Sequence, residues 1–359
     1  MFLPLKDTYS RKGVTKSEAV AGKRIAWSDL ARGIAIMLVV YRHVTVGMLR
    51  SGIPVSTLMY NGQEVFYNFR MVLFFILSGL FVANSLKKKS AGQVFRNRVA
   101  TILYPYLVWA VILMSMEVIF SRYTNSKRHW LELFKIFYQP RDVDHLWYLY
   151  ALFSCSVLYF LFRLVTKNVW INAFLAVAVH VINFYFIDVL HNYSLISDTF
   201  DYYTYFFVGT CLRDVLLDTK RSAKVLNIRN LLWLMPLCLA GQYFWFVHKD
   251  DRNTLYAVFF LINLVACYVV FILMNRLAAS RNTSWLSYMG KYSLYIYILH
   301  VPISAMFRVI YLHSGVVLNS WVLLGLLWTI GLVAPILLVN IGRPYGIEWL
   351  FSLKPKKAS

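Results

Sequence analysis

Apolar stretches of about 20 residues recur along the chain, and shorter polar segments separate them. A helix of that length crosses the ~30 Å hydrocarbon core of a bilayer. Only helices or closed barrels satisfy the backbone within lipid, and continuous apolar runs indicate helices. We predict spans centred near residues 40, 76, 110, 156, 180, 208, 238, 265, 301 and 328. The predicted fold is therefore an all-α, polytopic membrane protein with about ten transmembrane helices.

The composition agrees with this prediction and excludes several other classes of protein. Hydrophobic residues make up 59% of the chain and charged residues only 15%, whereas soluble domains contain roughly 25% charged residues. Disordered, collagen-like and disulfide-rich secreted proteins do not share this composition. The four cysteines form no CxxC pair and no Cys/His cluster, so we expect neither a metal site nor a disulfide framework.

The formal net charge of +21 follows from membrane topology. With the N-terminus in the cytoplasm, 25 of the 37 Lys and Arg residues fall in cytoplasmic segments and eight in the opposite loops. This asymmetry is the positive-inside rule, so we expect both termini to be cytoplasmic and no nucleic-acid partner. The loop at residues 121–145 is basic and departs from the rule, but its segment WLELFKIFY is typical of a short amphipathic helix lying on lipid.

The pattern predicts one membrane domain with two tails. Residues 1–28 form a basic N-terminal tail, residues 29–342 the transmembrane domain and residues 343–359 a basic C-terminal tail. The first 30 residues lack the apolar core of a cleavable signal peptide, so we expect the first span to remain as an anchor. We expect no appended soluble catalytic domain.

The first span carries ionisable side chains that include Asp29, Arg32 and His43. Such groups cost about 2.5–3.5 kcal/mol each inside a membrane and are functional candidates by default. Arg32 and His43 lie 11 residues apart, so they share one helix face and are separated by roughly 16 Å along the axis. Asp29 lies one turn before Arg32 and can orient it. We predict a catalytic group of Asp29, Arg32 and His43; alternatively, His43 is a hydrogen-bonded packing residue.

The second and ninth spans add three candidates. Arg70 and Ser78 share one face of the second span. Either they contact the substrate, or Arg70 extends to the headgroups and Ser78-Gly79 merely allows close helix packing. His300 lies at a depth similar to that of His43, which is consistent with a shared cavity or with packing.

Two further groups lie at span ends. His145 and Trp147 begin the fourth span, where an aromatic face beside a polar group suits a sugar, although tryptophans are also common at membrane interfaces. The loop KKKSAGQVFRNR contains three lysines, Arg96 and Arg98, which could bind the phosphates of a cofactor. Alternatively, these residues only set topology or contact anionic lipid, and Arg96 and Arg98 are the better candidates because they lie next to the membrane.

Six blocks of sequence together resemble the acyltransferase-3 family of bacterial membrane proteins. They are DLARGIAIMLVVYRHV, FFILSGLF, RNRVATILYPYLVW, HLWYLYALF, YFFVGTCLR and GKYSLYIYILHVPI, and they occur in the order typical of the family. By position, Arg32 and His43 correspond to the essential Arg/His pair of the family, and Arg98 to its arginine-rich segment before the third helix. The family often has a further arginine where this chain has Ile102, so the resemblance leaves open which residues hold the CoA phosphates.

The resemblance implies a multi-pass enzyme of the bacterial inner membrane. It would move an acyl group, usually acetyl, from cytoplasmic acetyl-CoA or another acyl-CoA to a hydroxyl of an envelope or exported glycan or a lipid-linked saccharide. No metal is expected. His43 would act as general base, or His43 or Ser78 would form a covalent acyl-enzyme. Arg32, Arg96 and Arg98 would bind CoA, while Arg70, Ser78, His145, Trp147 and His300 would contact the acceptor.

A transporter or flippase of a lipid-linked sugar or an organic acid would explain the buried charges equally well. Transporters often contain inverted repeats and helices broken in pairs by Gly or Pro, and the sequence contains neither. Turnover of acyl-CoA would distinguish the enzyme from the transporter.

Overall fold

The protein is helical throughout the computed structural model, which describes residues 16–119, 129–251, 255–280 and 283–353. No β-strand occurs in those ranges. The α-helices are α1 (Lys16–Arg50), α2 (Thr57–Val65), α3 (Tyr67–Leu86), α4 (Ala91–Arg98), α5 (Tyr104–Ile119), α6 (Lys135–Tyr138), α7 (Trp147–Val165), α8 (Val169–Tyr185), α9 (Ile187–Leu190), α10 (Ser194–Cys211), α11 (Arg213–Leu216), α12 (Thr219–Val225), α13 (Leu231–His248), α14 (Tyr256–Leu277), α15 (Ser284–Lys291), α16 (Ser293–His313) and α17 (Ser320–Gly342).

Eight helical segments of the described chain are long and apolar enough to cross a membrane. They are Ala26–Arg50, Thr57–Leu86, Ala91–Ile119, Trp147–Val165, Thr219–His248, Tyr256–Leu277, Ser293–His313 and Ser320–Tyr345. This confirms an all-α polytopic membrane protein. The remaining two predicted centres fall in α8 and α10. Helix α8 has only 17 residues, and α10 begins with the polar sequence SLISDTFDYYTY.

Helix α1 lies at the centre of the molecule, where it packs against α3, α14, α15, α16 and α17. Its buried side chains are mostly small or β-branched, such as Ala31, Ala35, Ile36 and Val40. Side chains of this kind let neighbouring helices approach closely. A second group is formed by α10, which packs against α3, α7 and α8. Helix α3 therefore joins the two groups, and the candidate residues of the first two spans lie in the interior.

The contact between α3 and α10 depends on two glycines that face each other. A Cβ atom at Gly79 would lie 1.9 Å from the carbonyl oxygen of Phe206, and one at Gly209 would lie 2.0 Å from the carbonyl oxygen of Ile76. Real Cβ atoms essentially never come that close, so neither position accepts a larger residue without a backbone shift. The glycine of Ser78-Gly79 thus serves helix packing.

A π-helical turn at Val99–Leu103 separates α4 from α5. Such turns carry an extra residue per turn and often mark functional sites. Arg98 is the residue immediately before this turn. The wider turn changes the angular position of Arg98 relative to α5, and its side chain enters the interior of the bundle.

The segment predicted to lie on lipid is helical and apolar on its outer side. Helical turns cover Trp130–Phe134 and α6, and the exposed side chains include Leu131, Phe134 and Phe137. Residues 121–128 of the same loop lie outside the described residues. The hydrogen bond between Lys135 and Asp142, with the charge of Glu132 in addition, raises the pKa of the Lys135 amine.

Candidate active site

Two cavities inside the helical bundle contain most of the predicted site residues. The first, here the Arg32 cavity, has a volume of about 230 Å³ and is lined by Arg32, Ser78, Arg98 and Tyr297 among others. The second, here the His43 cavity, has a volume of about 270 Å³. Tyr297 lines both cavities, so it lies between them where they adjoin.

The Arg32 cavity contains two half-buried cationic groups. Nη1 of Arg32 lies 3.2 Å from Oδ1 of Asp29, as their spacing on α1 predicts, and its guanidinium lies 4.7 Å from the ring centre of Phe81. Nη2 of Arg98 donates a hydrogen bond of 3.1 Å to the carbonyl oxygen of Ser78. The remaining donors of both guanidinium groups are available for an anion that reaches this cavity.

The other basic candidates of this region lie outside the cavity. Arg96 is exposed and does not line the cavity. Lys87 bonds Asp214 at 2.7 Å, and this hydrogen bond is the main reason why the pKa of the Asp214 carboxyl falls below its usual range. Lys88 and Lys89 are exposed. Only Arg32 and Arg98 of the predicted donor-binding residues therefore share one cavity.

Three histidines meet at the His43 cavity. The ring centroids of His43 and His300 are 5.0 Å apart, those of His145 and His300 are 5.1 Å apart, and those of His43 and His145 are 6.0 Å apart. His43 and His145 line the cavity, and His300 lies behind them with no exposed surface. The similar depth expected for His43 and His300 agrees with this contact. The approach of His145 to the same cluster was not predicted.

Backbone carbonyls determine which nitrogen carries the proton in two of these rings. Nδ1 of His300 lies 2.9 Å from the carbonyl oxygen of Ile296 and 2.8 Å from that of Tyr297. Because a carbonyl oxygen only accepts, Nδ1 of His300 must donate, and in the neutral ring its Nε2 is an acceptor. Nε2 of His145 lies 3.0 Å from the carbonyl oxygen of Ile298, so Nδ1 is the acceptor of that ring. Each neutral ring therefore has one nitrogen that can accept a hydrogen bond.

Aromatic rings and arginines form much of the remaining wall of the His43 cavity. The guanidinium groups of Arg42 and Arg70 lie 4.3 Å and 4.8 Å from the ring centre of Tyr67. The guanidinium of Arg141 lies 4.5 Å from the ring centre of Trp147, which also lines the cavity. Flat aromatic faces beside hydrogen-bonding groups suit a sugar ring, and a contact of Trp147 with the acceptor stays a prediction.

The structure separates Ser78 from the other predicted acceptor contacts. Arg70, His145 and Trp147 line the His43 cavity, and His300 contacts the ring of His43. Ser78 instead lines the Arg32 cavity together with Arg98. It therefore lies on the side of the predicted donor.

Sequence reasoning missed several polar residues of the His43 cavity. The missed residues are Asn68, Arg141, His180, Asp201, Tyr202, Tyr205, Tyr256, Asn263 and Tyr297. One signal was Asp201, an acidic residue inside the helix α10, whose carboxylate accepts a 2.5 Å hydrogen bond from Tyr256. Another was Asn263, an amide inside an apolar span. The tyrosines carried no separate signal because tyrosine is common at membrane interfaces.

Within the described part of the chain, no group of three or more His, Cys, Asp or Glu residues is placed to hold a metal ion.

Comparison with known proteins identifies the family. The family model described as an acyltransferase domain (Acyl_transf_3) matches residues 25–339, which include both cavities. No curated protein and no solved structure matches the chain. The match covers most of the chain and agrees with the resemblance carried by the six sequence blocks. The chain therefore belongs to the Acyl_transf_3 family of membrane acyltransferases.

Proposed function

We propose that this protein transfers an acyl group, most commonly acetyl, from acyl-CoA to a hydroxyl of an envelope or exported polysaccharide or glycolipid. The observation that carries the proposal is the junction of two cavities at Tyr297, with Arg32 and Arg98 in one and His43 in the other. A donor and an acceptor that enter from opposite ends would meet at this junction.

The Arg32 cavity is the site of the donor in this proposal. The phosphates of CoA are multiply charged, and guanidinium groups bind phosphate through paired hydrogen bonds. Arg32 and Arg98 would bind them at the cavity, while the exposed Arg96 would attract them from outside. The extended pantetheine arm of CoA would then cover the roughly 16 Å along α1 that separate Arg32 from His43.

His43 supplies the base. Its neutral ring would take the proton of an acceptor hydroxyl while the hydroxyl oxygen attacks the thioester carbonyl. When the tetrahedral intermediate collapses, the C–S bond breaks, the new ester C–O bond remains, and the proton passes from His43 to the CoA sulfur. The neutral rings of His145 and His300 each keep one acceptor nitrogen and lie next to the ring of His43. These nitrogens would stabilise the charged form of His43 by accepting its N–H protons.

The direction of transfer follows from the predicted topology. Arg32 lies near the beginning of the first membrane span, and His43 lies closer to its end at Arg50. With the N-terminus in the cytoplasm, acyl-CoA would bind on the cytoplasmic side of a bacterial inner membrane. The acceptor would reach His43 from the opposite side, where envelope glycans are found.

Acyl-CoA turnover by the purified protein and glycan ester content in cells test this function together. Replacement of His43 by alanine should lower transfer roughly 10²–10⁴-fold, the contribution of a general base. His313→Ala is the matched control, because His313 is exposed at the end of α16 and bonds only the carbonyl of Val309 among the described contacts. Full ester content in cells carrying His43→Ala, or no acyl-CoA consumption by the wild type with any glycan, would contradict the proposal.

A further inference from the structure

Arg70 is a buried cation that lacks an anionic partner in the described chain. Only 5% of its surface is exposed, and it lines the His43 cavity from helix α3. None of the ion pairs between described residues includes Arg70, and its Nη1 atom is buried there without a hydrogen-bond partner. Buried charges are normally paired, because the loss of hydration is costly. The low exposure also argues against the alternative that Arg70 extends to lipid headgroups.

The other arginines of the cavity provide the contrast. Arg42 bonds the carboxylate of Glu64 at 3.1 Å, and Arg141 bonds that of Asp198 at 2.5 Å. The cavity also contains Asp201, but its carboxylate accepts a hydrogen bond from Tyr256 and forms no described ion pair with Arg70. Arg50 also lines the cavity and forms no ion pair with a described residue, but it is exposed. Within the described residues, Arg70 is therefore the buried arginine of this wall whose charge is left for a ligand.

The guanidinium of Arg70 has a cation–π contact and one N–H group without a partner. Its Cζ atom lies 4.8 Å from the ring centre of Tyr67, and Nη1 is buried without a hydrogen-bond partner among the described residues. The N–H donors of a guanidinium lie in its plane, in a fork that matches the paired oxygens of a carboxylate or a phosphate. An unpartnered N–H of this kind suits an anion that approaches in the plane of the group.

Two amide side chains of the same cavity also have buried polar atoms without partners among the described residues. Both polar side-chain atoms of Asn68 are buried without a hydrogen bond among the described residues. Asn263 donates from Nδ2 to the hydroxyl of Tyr205 at 2.9 Å, but its Oδ1 is buried without a partner. Both residues line the His43 cavity. Amides bind hydroxyl groups as donor and as acceptor, so this wall suits a ligand with both hydroxyls and a negative charge.

We propose that the acceptor carries an anionic group, phosphate or carboxylate, that Arg70 binds in the His43 cavity while Asn68 and Asn263 bind its hydroxyls. The identification of this ligand as the acceptor rests on the proposed function, whereas the anion site itself does not. A saccharide with an acidic substituent would bring its hydroxyl to His43 with its charge on Arg70. A neutral saccharide would leave the buried guanidinium without a partner.

The site can be tested by calorimetry, which measures the binding of three probes to the full-length protein. The protein is held in nanodiscs of phosphatidylcholine, a lipid with no net charge. The probes are glucose 1-phosphate, glucuronate and glucose, which separate phosphate from carboxylate and both from a neutral sugar. We expect at least one anionic probe to bind about tenfold or more tightly than glucose, since a charge-assisted pair contributes at least that factor. Arg70→Gln should abolish the difference and Arg70→Lys should retain part of it.

The control variant is Arg163→Gln, which removes an exposed guanidinium on α7 outside the cavity and should leave the preference unchanged. Equal affinity of the wild type for all three probes, or an anion preference that survives in Arg70→Gln, would overturn the inference. A loss of affinity for all three probes alike in Arg70→Gln would also overturn it, because that pattern indicates a structural role.

Acyl-CoA consumption by the same samples separates this inference from the proposed function. Turnover without an anion preference would leave the acyltransferase standing and remove the anion site. An anion preference that depends on Arg70, without turnover of any acyl-CoA, would leave the site standing and remove the function.

Discussion

The imidazole rings of His43 and His300 lie 5.0 Å apart, centroid to centroid, with their planes at 68°. Helix α1 carries the first ring and α16 the second, and these helices pack directly against each other. The Nδ1 proton of His300 is held by carbonyls of its own helix, so its Nε2 is oriented by the backbone. His300 is thus placed to position His43 without touching the acceptor cavity.

A positioning role predicts a specific kinetic pattern for His300 variants. In His300→Ala the kcat for acyl transfer should fall about 10–100-fold, the value of a lost hydrogen bond to a charged group, while the KM for acyl-CoA stays unchanged. His300→Gln, whose amide reaches the region of Nε2, should recover part of the loss. Steady-state kinetics of purified variants at equal abundance provide the measurement. A raised KM with normal kcat would place His300 in donor binding instead.

Arg98 and Arg96 form a matched pair for the donor site. Only one residue separates them, but Arg98 lines the Arg32 cavity whereas Arg96 is exposed outside it. Arg98→Ala should raise the KM for acyl-CoA about tenfold or more, because a phosphate loses a charge-assisted hydrogen bond. Arg96→Ala should raise it no more than about threefold, as expected for a solvent-exposed charge.

Inhibition by CoA and by dephospho-CoA provides the check on this pair. If Arg98 binds the ribose phosphate of CoA, the two inhibitors should differ in the wild type and in Arg96→Ala but not in Arg98→Ala. Equal changes in both variants would mean that only the overall basic charge of this region matters.

Tyr297 separates the two cavities. Its hydroxyl donates a hydrogen bond to the carbonyl oxygen of His145, and its ring packs 5.2 Å from that of Tyr148. Tyr297→Ala would remove the ring that both cavities share, so water from the His43 cavity would reach the thioester. We expect acyl-CoA hydrolysis without acceptor to rise, while acylation of the acceptor falls.

The comparison variant is Tyr297→Phe, which keeps the ring and loses only the hydroxyl. It should show little acceptor-independent hydrolysis. Release of CoA thiol with and without acceptor measures the ratio of hydrolysis to transfer. Identical ratios in Tyr297→Ala and the wild type would show that Tyr297 does not separate the cavities.

The contact of α3 with α10 predicts a stability effect. Gly79→Ala would place a methyl group against the carbonyl oxygen of Phe206, and the required backbone shift should cost about 1–3 kcal/mol in the free energy of unfolding. Gly325→Ala in α17 is the matched control, because a Cβ there meets nothing within 4 Å. Its helix should be unaffected or more stable. Thermal unfolding in detergent provides the comparison, and equal melting temperatures for the two variants would contradict the packing argument.

The sequence by itself determined the features that depend on one helix at a time. The lengths of the apolar runs predicted helices at all ten centres, although α8 is shorter and α10 more polar than a typical span. The helical period placed Asp29, Arg32 and His43 on one face, and the structure shows the contact of Asp29 with Arg32. These predictions succeed because residues close in sequence are related by the geometry of a single helix.

Only the tertiary structure decided which helices share a cavity. His145 approaches His43, Ser78 lies outside the His43 cavity, and Asn263 lines the same cavity as Arg70. These relationships depend on the depths at which neighbouring helices pack. Those depths are set by local close contacts, such as that of Gly79 with the backbone of Phe206. A hydrophobic period describes which face of a helix is buried, but it contains no information on the neighbour that covers it. Packing of complementary surfaces decides that neighbour, and it therefore also decides the chemistry of the site.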